Sequence, residues 1–435
     1  MKRLLYILLI FSQLLNAQVL TNLSGDIILS GGNIMRDKKV VEFYSQQSGA
    51  IDQITFTFII DAGKTLNVDW GNGVVSSLTG TGSNQNISSS YIYSNNTYSI
   101  RIYGDLDNVK KLSLSEPKLR ILNLNEISKF VGLTELSLTS CILNSGSLAD
   151  LPTGLASLIW NNLSGLTVTG SLADLPTGLT SLNWSSMSGL TVTGSLADLP
   201  TGLAYLYWGS MSGLTVTGSL ADLPTGLTYL YWNNLSGLTV TGSLADLPTG
   251  LTYLYWNTLS GLTVTGSLAD LPTGLASLIW NNLSGLTVTG SLADLPTGLA
   301  SLNWSSMSGL TVTGSLADLP TGLASLNWSS MSGLTVTGTI DEFPVSINST
   351  LTVQSCVNTN IGYTGGTIPA WGGVTITFQN AWTSTELDDF LIGWATTAGS
   401  GTKTIDLRGD NAARTSASDA AVSTLTGLGK TILTN

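Results

Sequence analysis

Apolar residues return at fixed intervals through the middle of the chain. The segment GSLADLPTGLASLIWNNLSGLTVT begins at Gly146 and recurs, nearly unchanged, at 170, 194, 218, 242, 266, 290 and 314, so eight such units run to Thr337. A decayed ninth unit opens with Gly338-Thr339-Ile340-Asp341-Glu342-Phe343-Pro344. In the first unit the apolar positions are Leu148, Leu151, Leu155, Leu158, Trp160, Leu163, Leu166 and Val168. The spacing of the first four fits one face of a helix, but Pro152 and Gly154 recur in every copy and break it. Residues 155–160 alternate as a short strand with Leu158 and Trp160 facing inward. Thr167-Val168-Thr169 is β-branched and predicts a second, shorter strand. Asn161, Ser164 and Gly165 fall in the turn between the two. One unit cannot bury its own apolar side, whereas eight stacked units share a continuous core, so the pattern predicts a solenoid.

The flanks follow other patterns. Residues 54–60 and 98–103 alternate as strands, and Val68-Asp69-Trp70-Gly71-Asn72-Gly73 reads as a strand entering a tight turn. After Gly338, Thr383-Ser384-Thr385-Glu386 forms a capping box ahead of Leu387, Phe390, Leu391 and Trp394, which predicts a helix. A strand at 403–407, a second helix at 416–425 and a last strand at 430–433 follow. The open end of a solenoid core needs a cover, and an α/β cap suits that role.

The strand pattern carries a resemblance. Leu133, Leu136, Leu138 and Cys141 fit LxxLxLxx(N/C), and the chain resembles the leucine-rich-repeat family over roughly residues 109–356. The eight units keep the pattern as Leu155, Leu158 and Trp160 but place Leu or Met where the family has Asn or Cys. Val109, Leu112 and Leu114 stand one period before Leu133, as a degenerate unit. The Trp70 turn and the strand at 98–103 resemble the PKD-type β-sandwich of secreted proteins, used as a spacer or docking module. The expected fold is mainly β with some α: a leucine-rich-repeat-like solenoid with an N-terminal β-sandwich and a C-terminal α/β cap. The expected divisions are a signal peptide at 1–17, the PKD-like sandwich at 18–108, degenerate repeats at 109–145, the eight repeats at 146–337, and a degenerate repeat with the cap at 338–435. Cys141 and Cys356 occupy similar positions near opposite ends of the array. At about 4.8 Å per coil they are some 40 Å apart, so two buried thiols are expected rather than a disulfide.

Composition narrows the function. Charged residues make up 10% of the 435, with 16 Lys+Arg against 27 Asp+Glu, a net charge of −11 and no His. An acidic chain of this kind does not suit nucleic acid, whose phosphates need a basic face. Without His the commonest general base and metal ligand are missing. Two Cys are too few for a disulfide framework or a Cys-type zinc site. No enzyme activity, cofactor or metal is expected. Met1-Lys2-Arg3, an apolar run from Leu4 to Leu15 and Ala17 read as an export signal cleaved near Ala17. No later stretch is an uninterrupted apolar run of membrane-spanning length, so a secreted or cell-surface protein without a membrane span in the mature chain is expected.

Near-identical units make their differences informative. One strand position reads Ser157, Ser181, Tyr205, Tyr229, Tyr253, Ser277, Ser301, Ser325. The position two residues on reads Ile159, Asn183, Tyr207, Tyr231, Tyr255, Ile279, Asn303, Asn327. By alternation both point away from the core, on the side that is concave in leucine-rich-repeat proteins. The six Tyr predict a flat aromatic tile suited to a sugar ring, a peptide strand or a protein loop. Cross-strand stacking that only stabilises the sheet is the plainer alternative. The Trp160, 184, 208, 232, 256, 280, 304 and 328 ladder has the inward parity and is expected to be core. Asp150, 174, 198, 222, 246, 270, 294 and 318 are the only charges in the eight units. They fit a turn-fixing role through backbone N–H groups, ahead of calcium bridging or a glycosidase-like carboxylate pair. Thr167, Thr169, Thr191, Thr193, Thr215, Thr217, Thr239 and Thr241, with their later equivalents, predict two Thr columns on an outer face. That array resembles the ice-binding surface of solenoid antifreeze proteins and equally reflects β-propensity. The reading that results is non-catalytic recognition or adhesion toward an extracellular protein or glycan, with ice binding or a structural spacer as alternatives.

Overall fold

Each repeat folds as one coil with a strand on either side of an apolar interior. A computed structural model of the chain describes residues 27–30, 33–36, 39–45, 54–89 and 98–435, except 118, 166, 357, 372, 373 and 402. The export segment and Leu166 lie outside the described residues. The first strand of the first coil spans Ser157–Asn161 and pairs in parallel with Ser181–Ser185 of the next, placing Leu158 opposite Leu182 and Trp160 opposite Trp184. This shift by one full repeat holds from coil to coil and builds the middle of a 16-stranded sheet. The second strand of each coil, for example Leu238–Ser243, contributes to a ten-stranded parallel sheet on the opposite side. Leu, Trp and Val of both strands, and Leu or Met of the turn, are buried between the sheets.

The register stacks like residues on like. Neighbouring Trp rings of the ladder lie 5.9–6.3 Å apart and 12–20° from parallel. All eight are core, and their Nε1 atoms have no hydrogen-bond partner among the described residues. Trp70, Trp371, Trp382 and Trp394 outside the units each donate, to Ser76 Oγ and to the carbonyls of Pro344, Ile361 and Pro369.

Where the family pattern calls for Asn, each coil buries Leu163, Met187 or an equivalent. The residue before it takes a left-handed conformation (Asn162 φ 53°, Asn234 φ 52°). Its N–H donates to the next coil, from Asn162 to Ser185 O at 3.0 Å and from Asn234 to Asn257 O at 2.9 Å. A backbone ladder thus does the work of the missing side-chain ladder.

The second sheet is phased differently. Its ladder partners fall two positions short of a full repeat, so Thr217 faces Thr239 and Gly218 faces Val240. Equivalent residues are therefore displaced by two positions along the strand, about 6.6 Å along and about 4.8 Å across, or about 8 Å in all. That face of the coil advances further per repeat than the long sheet does. A Cβ on Gly237 would lie 2.1 Å from the carbonyl oxygen of Leu214, so the close approach of the two coils requires glycine there.

Both ends of the array merge into the flanking segments. Strand Thr55–Ile60 pairs antiparallel with Val109–Ser115, which pairs in parallel with Glu135–Thr139 of the coils. The position between 108 and 109 therefore falls at the edge of a strand within one continuous sheet. A six-stranded sheet containing Val40–Ser45 and Thr65–Asp69 faces it. Phe43, Phe56 and Trp70 join the two, with ring centroids 5.7 Å apart at each contact. In the Trp70 turn, Asp69 Oδ1 accepts from Gly71 N and Asn72 Oδ1 from Val74 N. At the other end, strands Thr350–Gln354, Thr375–Gln379, Lys403–Asp406 and Lys430–Leu433 continue the long sheet in parallel. Helix Ser384–Ala395, opened by the expected Thr383–Glu386 capping box, and helix Asp419–Gly427 connect the last three of these strands. Cys141 and Cys356 are free and buried. Burial pushes the Cys141 thiol up to about 11. Among the described residues no helix is long and apolar enough to cross a membrane.

Two expectations follow for stability. Trp232→Phe keeps a stacked ring and deletes an unpartnered N–H, so it is expected to cost under about 1 kcal/mol, against about 3–5 for Trp232→Ala. Gly237→Ala is expected to cost about 2 kcal/mol or more, whereas Gly226→Ala, which meets nothing within 4 Å, changes stability by less than about 0.5. Urea-unfolding midpoints of the intact chain measure both pairs.

Candidate functional site

The parity that buries Leu206 and Trp208 turns Tyr205 and Tyr207 outward, and the same holds one and two coils on. Tyr205, Tyr229 and Tyr253 are ladder partners, as are Tyr207, Tyr231 and Tyr255. All six are half-buried. The two columns by three rungs anticipated from the repeat comparison are present.

Their orientation differs from a flat tile. Centroids in the first column are 4.3 Å apart at both contacts, and in the second 4.0 and 4.2 Å, with interplanar angles of 4–15°. Parallel rings this close lie face on face, so they stand edge-on to the solvent as a ridge. The separation is below the roughly 4.8 Å between strands, so the rings lean together to reach contact. The ridge top therefore offers ring edges and hydroxyls. Uncovered ring faces remain at its two ends, toward Ser181 and Asn183 on one side and Ser277 and Ile279 on the other.

Gly209 belongs to this site and was missed from the strand comparison. Equivalent positions carry Asn or Ser, and a Cβ on Gly209 would lie 3.3 Å from Tyr207 Cε1 and 3.7 Å from Tyr231 Cε1. The signal was in the sequence: of the eight units, the one that opens the Tyr block is the one with Gly after Trp.

Packing also sets the acidity of the ridge. Burial, reinforced by the neighbouring phenol groups, pushes the Tyr229 and Tyr231 hydroxyls far above the ordinary phenol value. Burial raises Tyr205 and Tyr253 as well. Tyr205, Tyr229, Tyr231 and Tyr253 thus meet a ligand as neutral hydroxyls, each able to donate and accept.

The other rows resolve locally. In each of the eight coils the Asp caps a 3₁₀ turn: Ser195 N–H donates to Asp198 Oδ2 at 2.8 Å while Ala197 N–H donates to Ser195 Oγ at 3.3 Å. This is the turn-fixing geometry expected of the acidic row. Among the described residues no group of three or more His, Cys, Asp or Glu comes together. The Thr side chains of the second sheet are exposed, but the two straight columns expected from equivalent positions do not form. The shortened phase of that sheet instead pairs Thr169 with Thr191, Thr193 with Thr215, Thr217 with Thr239, and Thr241 with Thr263. Beyond such a pair the ladder reaches glycine, as where Thr239 meets Gly261. The Thr167 hydroxyl donates to the Asn144 carbonyl.

Raised phenol values tie the ridge to pH. A hydroxyl that ionises later in the folded chain contributes stability that is fully present below the unfolded value near 10 and is lost as pH rises toward the folded one. Titration followed at 295 nm is expected to show a late-ionising fraction that Tyr229→Ser/Tyr231→Asn makes smaller, with a smaller loss of stability above pH ~10 in that variant.

No family model matches the chain, and no curated protein matches it. Among solved structures it is similar to an internalin of Listeria monocytogenes, at 19% identity and TM-score 0.40, over 75% of this chain and 87% of that one. A leucine-rich-repeat protein of Leptospira interrogans is similar at 16% identity and TM-score 0.41, over 75% and 84% of the two chains. A structure of PEPR1–AtPEP1 is similar at 16% identity and TM-score 0.40 over 75% of this chain, which spans about half (53%) of the chain it matches there. Read from its own coils, the fold is a leucine-rich-repeat-like solenoid, mainly β with few helices.

Proposed function

We propose that the chain is a non-catalytic recognition protein that holds an extracellular protein or glycan on the outer face of its long sheet, through the ridge of Tyr205, Tyr207, Tyr229, Tyr231, Tyr253 and Tyr255. One observation carries this reading. Three coils place paired rings at two outward positions where the other five place Ser, Asn or Ile, while the core of all eight is kept. Those five coils form the same strands without the rings, so the Tyr are not needed to make a coil. Six rigid aromatic side chains give contact area at low entropic cost, and their hydroxyls give directional bonds. The basic, apolar start of the sequence supports export, and a surface or secreted role in adhesion is the setting that fits it.

The test is binding of the chain to an array of glycans and extracellular-matrix proteins, beside a variant carrying Tyr205→Ser, Tyr207→Asn, Tyr229→Ser, Tyr231→Asn, Tyr253→Ser and Tyr255→Asn. These replacements are the residues of other coils, so the variant is expected to fold. Binding by the parent and a loss of about tenfold or more in the variant is the expected result. Equal binding by both, or binding by neither while both are folded, overturns the reading.

A further inference from the structure

The stacked geometry points to a more particular site than the ridge as a whole. Ring faces are available at its ends, and the two ends differ. At the C-terminal end the faces of Tyr253 and Tyr255 look over Ser277 and the apolar Ile279. At the N-terminal end the faces of Tyr205 and Tyr207 rise above Ser181 and Asn183. Asn183 is half-buried, and its amide has no hydrogen-bond partner among the described residues. The N-terminal end is thus a corner with an aromatic wall and a hydrogen-bonding floor.

We propose that this corner is a subsite for a neutral pyranose ring, stacked on Tyr207 and bonded along its edge to Asn183, with Tyr205 and Ser181 flanking it. This rests on the recognition reading above. The protein itself supplies the measure of fit. Within the ridge, a flat six-membered ring is accepted at 4.0–4.3 Å from the ring before it. A fourth layer at that distance falls over the Ser181/Asn183 strand, where short side chains leave its place open. A pyranose fills that layer with its C–H face against the electron-rich face of Tyr207. Its equatorial hydroxyls then meet an amide that both donates and accepts. Charge agrees with a neutral ligand, because the eight units carry no cation and their Asp carboxylates are engaged in turn caps. An anionic sugar finds no counter-charge in these units, and an aliphatic side chain makes no use of Asn183.

Calorimetry and saturation-transfer NMR with cello-, manno-, xylo- and chitohexaose test the proposal. At least one is expected to bind. Asn183→Ile, which copies the native residue of the 159 and 279 positions, is expected to weaken it about tenfold. The pair Ser181→Tyr/Asn183→Tyr adds a fourth protein layer, fills the subsite and moves the wall above Ser157 and Ile159, where no amide waits, so it is expected to weaken binding equally. Asn303→Ile, the same exchange on a coil that carries no ring wall beside it, is expected to leave affinity unchanged. Binding by none of the four sugars overturns the proposal, as does capture of an arginine-rich peptide in the corner instead. If the six-Tyr variant loses its ligand while Asn183→Ile and the added layer do not, the recognition reading stands and the corner falls. A loss in Asn303→Ile as large as in Asn183→Ile likewise overturns the corner.

Discussion

The parallel ladder of the long sheet, held in register by one full repeat, is the constraint on which the rest of the molecule depends. It sets each side chain against its own copy in the next coil. Inside, this converts one Trp per unit into a continuous stack with no gap between coils, and the interior acquires the contacts that a lone unit lacks. Outside, it converts two Tyr per unit into a ridge. Like-on-like stacking has a chemical limit. Indole only donates, so identical Trp in identical orientations cannot satisfy one another, and their N–H groups have no partner among the described residues. Phenol both donates and accepts, which suits it to the face where such stacks meet water.

A ladder of this kind holds only if every turn returns the chain to phase, and two local devices achieve it. The Ser–Asp capping box closes the 3₁₀ turn after the second strand, and caps of this type contribute about 1 kcal/mol each. The left-handed residue after the first strand directs its N–H across to the next coil. Both use short polar side chains or the backbone alone, which explains how a sequence with so few charges satisfies its turns.

Much of this was legible in the sequence, for reasons that can be located. The inward parity of Leu158 and Trp160, the helix break at Pro152 and Gly154, and the Thr383–Glu386 box each follow from rules acting within a few residues. The separation of Cys141 and Cys356 followed from counting periods. What escaped was set between coils. Parity says that Tyr207 faces outward but not how its ring turns about its side-chain bonds, so a flat tile and an edge-on ridge share one sequence pattern. Equivalence of Thr215 and Thr239 says that both are exposed, yet the hydrogen-bond phase of their sheet is set between coils, where Gly237 lies against Leu214, a neighbour in space. The same holds at the N-terminal edge, where strand Thr55–Ile60 joins the coil sheet through pairing that alternation alone does not specify.

The direction of the ladder also has a mechanical meaning. The strands of the long sheet lie across the line on which coils are stacked, so tension between the two ends of the array loads the inter-coil bonds one coil at a time rather than all at once. Each coil that yields releases one repeat, about 80 Å of extended chain, from a rise of about 5 Å. Because the eight coils are nearly the same, they resist with nearly the same force. Under a steady pull the array gives way as a series of equal steps, a shock absorber whose stroke is set by the number of copies and whose yield point is set by one.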